Sequence, residues 1–113
     1  MAELTVQEMD MSGLDPSFDG ADSEGDKFRN DGKTFLYVKD TGTTAPDVTL
    51  KIQKTIDVGG VTLSITDPTV SVESGGEQLI GPFPLDWLND ADKFVNVEYD
   101  DETDVDVAAI KLA

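Results

Sequence analysis

From residue 34 onward, apolar and polar residues alternate in short runs separated by Gly, Pro and Asp. This is the period-two signature of half-buried strands. Residues 34–39 read T-F-L-Y-V-K, β-branched and aromatic. In residues 48–56, Val48, Leu50, Ile52 and Ile56 point one way, with Thr49, Lys51 and Gln53 opposite. Gly59-Gly60 is placed to close a hairpin onto residues 61–65, which carry Val61, Leu63 and Ile65. Asp67-Pro68 breaks the pattern, and a short strand holds Val70 and Val72. After Gly75-Gly76, residues 77–83 form a strand that ends at Pro82 and Pro84. Residues 84–92 leave room for one helical turn. Phe94 to Tyr99 alternates, and a last strand turns Val105, Val107, Ala109 and Leu112 inward.

Before residue 34 the pattern thins. Leu4 and Val6 suggest a weak first strand. Residues 15–33 carry Pro16, Gly20, Gly25 and Gly32 among acids and read as an extended loop. The expected organisation is therefore one domain, with an N-terminal strand and acidic arm or loop over residues 1–33 and a β-sandwich core over residues 34–113. The expected fold is all-β: a single antiparallel β-sandwich or jelly-roll-like barrel of seven or eight short strands.

Composition narrows the chemistry. The 113 residues include 24 Asp and Glu against 8 Lys and Arg, a net charge of −16, and neither Cys nor His. There is thus no disulfide framework, thiol nucleophile, Cys/His zinc site or histidine base. The charge repels phosphate, which argues against direct nucleic-acid binding. No apolar run reaches the roughly 20 residues of a membrane-spanning helix, and residues 1–14 do not read as a secretory signal. No cofactor is expected. The acids are spread along the whole chain, which points to adaptation to high salt, where like charges are screened.

Two clusters stand out. Asp22, Glu24 and Asp26 have the spacing of the first ligands of a calcium loop. Lys27 and Lys33 occupy the positions where such a loop needs Gly and Glu, so the three acids are only weak cation-site candidates, and a solvated acidic loop is the plainer reading. The second is Gly81-Pro82-Phe83-Pro84-Leu85-Asp86-Trp87-Leu88, with two prolines and the only Trp. Phe83, Leu85 and Leu88 could plug one end of the sandwich. Phe83, Leu85 and Trp87 could instead form a partner interface, since Trp is enriched at binding hot spots. The acids from Asp100 to Asp106 fall in a turn and on an outer strand face, where they need no catalytic role.

The run Asn30-Asp31-Gly32-Lys33-Thr34-Phe35-Leu36-Tyr37-Val38-Lys39 resembles a recurring opening in small virion proteins of tailed viruses. Gly76-Glu77-Gln78-Leu79-Ile80-Gly81-Pro82-Phe83-Pro84 and the ending Val105 to Leu112 are similar to the same group. The resemblance spans nearly the whole chain, and the acidity suggests a haloarchaeal virus. It implies a virion structural component and does not by itself fix a place in the particle; the role expected is a non-enzymatic capsid decoration or cement protein that binds the major capsid protein at the virion surface after synthesis in the host cytoplasm. A homo-oligomer is expected from how such lattices are cemented, a trimer suiting threefold positions. The alternatives are a neck or tail-completion protein and, in another class, an acidic decoy for a basic host partner.

Overall fold

The computed structural model describes residues 1–112, apart from the side chains of Ser64, Asp86 and Trp87. One sheet has the strand order β1 (Ala2–Glu3), β4 (Asp26–Arg29), β11 (Phe94–Tyr99), β6 (Asp47–Leu50), β9 (Thr69–Ser71). The second runs β10 (Glu77–Ile80), β5 (Thr34–Asp40), β12 (Val105–Leu112), β2 (Val6–Met9), with β3 (Asp19–Gly20) also paired to β12. The strands β7 (Thr55–Val58) and β8 (Val61–Ser64) pair only with each other. A single helical turn, α1 (Leu85–Leu88), follows Pro84.

The two sheets bury one face each against the other. In β5, Thr34, Leu36, Val38 and Asp40 are buried while Phe35, Tyr37 and Lys39 are half-buried. Leu36 and Val38 lie opposite Ala109 and Val107 of β12. From the other sheet come Phe28, Val48, Leu50, Val95 and Val97, and Ile80, Phe83 and Leu88 complete the core. Alternation with period two is what lets one strand serve a core and a solvent face at once. The fold is an all-β sandwich, as the pattern indicated.

Twelve strands replace the expected seven or eight, because several are only two to four residues long. The sheets are mixed rather than wholly antiparallel: β1 runs parallel to β4, and β2 parallel to β12. Both exceptions come from the N-terminal segment, which is no arm. It enters the first sheet at β1, crosses through the buried Leu4 and joins the second at β2. The acidic loop likewise contains β4, whose Phe28 is fully buried against Phe83, ring centroids 5.5 Å apart. Residues 1–33 and 34–113 therefore share one core. Phe18 meets Tyr37 edge-on at 5.1 Å, and the Lys39 ammonium sits over the Phe18 ring, 4.5 Å from its centroid, so the remaining loop lies against the second sheet.

Two further expectations change. Leu112 is half exposed at the end of β12. Residues 48–56 are not one strand, because the carboxylate of Asp67 intervenes. It accepts from the Ile52 N–H at 2.8 Å and pairs with Lys51 at 2.8 Å, drawing the chain out of the ladder.

Candidate functional site

Beyond Ile52 the chain builds β7 and β8 as a hairpin that joins neither sheet. Gly59 and Gly60 form its turn with φ of 57° and 86°. A two-residue turn of this kind requires positive φ at both central positions, which glycine supplies without steric cost. The register sets Ile56 opposite Leu63 and Val58 opposite Val61. Directly paired residues lie on the same face, so all four apolar side chains share one side of the hairpin. Thr55, Asp57 and Thr62 take the other, where Thr62 donates to Asp57 at 2.7 Å.

That apolar face is open. Ile56, Val58, Val61 and Leu63 are 37%, 59%, 59% and 50% exposed. An isolated two-stranded hairpin is marginal in water, and contiguous exposed apolar surface marks interaction sites. Its strands were legible in the sequence. Its exposure was not, because alternation reports that one face is apolar and not what covers it.

The partner-interface candidates separate. Phe83 is 3% exposed and belongs to the core, so it is not available to a partner. Leu88 is buried beside it, and these two plug the sandwich end. Leu85 is half exposed and stays outside the plug. The side chain of Trp87 lies outside the described residues. The segment is tied down by Asn30, whose side-chain amide donates to the Phe83 carbonyl at 3.1 Å and to Asn89 Oδ1 at 2.8 Å.

The cation-site candidates also separate. Asp22 Oδ1 accepts from the Glu24 N–H at 2.8 Å, which makes it a turn-forming residue. Glu24 points outward and meets the N-terminal ammonium at 3.4 Å. Asp26 turns inward and is fully buried. The three carboxylates do not converge, and no group of three or more His, Cys, Asp or Glu among the described residues is placed to hold a metal ion. Strand alternation explains the failure: β4 starts at Asp26 and aims it with Phe28 into the core.

Burial pushes the Asp26 carboxyl above the usual carboxylate range, against the hydrogen bond from Tyr99. Burial and the adjacent Asp26 together push the Tyr99 hydroxyl far above its ordinary range, so it remains a donor. The sequence carried no signal for this pair.

No family model, curated protein or solved structure matches the chain.

Proposed function

We propose that the chain is a non-enzymatic virion structural protein of a tailed virus: a capsid decoration or cement protein that binds the major capsid protein. The observation that carries this reading is the β7–β8 hairpin, a registered element whose apolar face is left between about a third and three-fifths exposed by the described residues. Docked on a capsid subunit, that face would bury four aliphatic side chains, while the sandwich stays outside as a solvated body. A single contact of this size is weak. Repeated over a lattice, or within a homotrimer at threefold positions, it becomes strong through effective concentration. The resemblance of residues 30–39, 76–84 and 105–112 to small virion proteins supports the same reading. Spread surface carboxylates suit a particle that persists in high salt.

Mass spectrometry of purified particles tests the proposal. Copies near the number of major capsid subunits support decoration, a few copies per particle support a neck or tail-completion role, and absence from particles overturns both. A decoy for a basic host protein would call for carboxylates gathered on one face. Here they occur on strands of both sheets and along the loops.

A further inference from the structure

We propose that the cleft beside the N-terminal crossover is a binding site for a carboxylate carried on an apolar stem. The cleft holds about 460 Å³, within the range of small-molecule sites. It opens where residues 3–6 pass from the first sheet to the second. Leu4 and Val6 give it apolar lining, and Arg29, Lys93 and Lys111 bring cations to it.

The charge there runs against the whole molecule. Three of the eight basic residues line the cleft, against two of the 24 acids, Glu3 and Asp31. That is a local balance of +1 on a chain of −16. Among the described residues, Arg29 and Lys93 form no ion pair despite the excess of carboxylates. Arg29 is held in place by stacking 4.8 Å from the Phe94 ring centroid. Lys111 sits 3.9 Å from Glu8 and 3.8 Å from Asp31, too far for strong charge-assisted hydrogen bonds. Beside an apolar recess, Arg29 and Lys93, two cations without an ion-pair partner among the described residues, favour a ligand with one negative head and a hydrocarbon body. Phosphate alone would leave Leu4 and Val6 unused, and a neutral alcohol would leave the cations unused. This inference does not depend on the capsid reading.

The test is a titration of the full chain, isotope-labelled and in folding-competent salt, with hexanoate, hexanol and inorganic phosphate, followed through backbone amide shifts. Hexanoate is expected to shift Leu4, Thr5, Arg29 and Lys93 saturably, and to bind more tightly than either other probe. In the R29Q/K93N variant its affinity should fall about tenfold or more; asparagine is chosen because it tolerates the positive φ of Lys93, 69°. Should that variant fold poorly, rising salt on the unaltered protein must weaken hexanoate and leave hexanol unchanged. N-acetyl-leucine identifies the source of the carboxylate: tighter binding than hexanoate assigns the site to a chain terminus, weaker binding to a free acid. No shift at these amides, equal binding of hexanol or phosphate, or unchanged affinity in the folded variant overturns the proposal.

Discussion

The Tyr99 hydroxyl donates to Oδ2 of Asp26 at 2.8 Å, across 73 residues of chain, and it does so beneath the surface of the first sheet. Asp26 lies opposite Val97 on the adjacent strand, which puts Tyr99 at the diagonal position within reach. The second oxygen, Oδ1, is buried without a hydrogen-bond partner. An ionised carboxylate so placed is under-solvated, which is why burial raises its pKa.

The sign of the pH dependence follows. The folded Asp26 holds its proton to higher pH than the unfolded one, so its contribution is full below the unfolded value of about 3.9 and is lost as pH rises through the folded pKa. Asp67 and Asp40 act oppositely. The hydrogen bond from Lys51 lowers Asp67, and the Ala45 N–H lowers Asp40, so their stabilisation is present above the unfolded pKa and lost on acidification. Asp26→Asn removes only the first effect. Urea midpoints measured from about pH 4 to 7 should show the variant gaining relative to the unaltered protein as pH rises; a constant gap refutes the assignment.

Gly25 closes the turn into β4 with its N–H on the Asp22 carbonyl at 2.9 Å and φ of +93°. An added Cβ would collide with the Val97 carbonyl oxygen, part of the neighbouring backbone, which cannot rotate away. Gly25→Ala should therefore cost about 1–3 kcal/mol from the backbone conformation alone, read as a lowered denaturation midpoint. A midpoint equal to that of the unaltered protein would show that the turn relaxes freely.

Phe83 and Leu85 stand two residues apart and should respond differently. Truncating Phe83 empties space against Phe28 and Ile80 in the core. Phe83→Ala should cost about 3–5 kcal/mol, whereas Leu85→Ala, at a half-exposed position, should stay within about 0.5 kcal/mol. Thermal unfolding of both variants checks this, and equal destabilisation would place Leu85 in the plug.

The strands of the central sheets were readable because β5 and β6 alternate cleanly, with Leu36, Val38 and Val48 inward, and β11 and β12 are rich in β-branched residues such as Val95, Val97, Val105 and Val107. The N-terminal strands were not. Asp-Lys-Phe-Arg in β4 has one apolar residue, and its other inward residue is the acid Asp26, so local pattern gave a loop. Tertiary pairing overrode weak propensity there, as it commonly does for strands. Parallel pairing of β1 and β2 also leaves no turn signature, since the partners are far apart in sequence. At the candidate sites, one-dimensional spacing brought Asp22, Glu24 and Asp26 together on paper. The turn and the strand send their side chains in three directions.

The hairpin offers a clean separation of assembly from folding. Its strands pair with neither sheet and its four aliphatic side chains are partly exposed, so replacing Ile56, Val58, Val61 and Leu63 with Thr should change sandwich stability by no more than about 0.5 kcal/mol per site. Threonine keeps the β-branched shape suited to a strand. If the proposed docking on the capsid holds, binding to empty capsids should weaken at least about tenfold, equivalent to about 1.4 kcal/mol. Retained capsid binding by the folded variant would move the contact elsewhere on the molecule.

Salt should govern the stability of the whole sandwich. The charge of −16 is carried on a body with a radius of gyration of 14.6 Å, so most acids lie within a few tens of ångströms of one another. Few are neutralised locally. Among the described residues, Lys51 engages Asp67 and Glu98, Lys111 engages Glu8 and Asp31, and the N-terminus engages Glu24. Repulsion among the rest reaches across the domain when the screening length is about 10 Å, at 0.1 M salt, and is confined to near neighbours at about 3 Å, at 1 M. The unfolded chain spreads the same charge over a larger volume, so low salt favours unfolding. Melting temperature should therefore climb steeply between these two concentrations of KCl, and adding sucrose at constant low salt should not reproduce the full gain. A melting temperature independent of KCl would mean that the carboxylates are too dispersed and hydrated to repel, and would remove the case for adaptation to high salt.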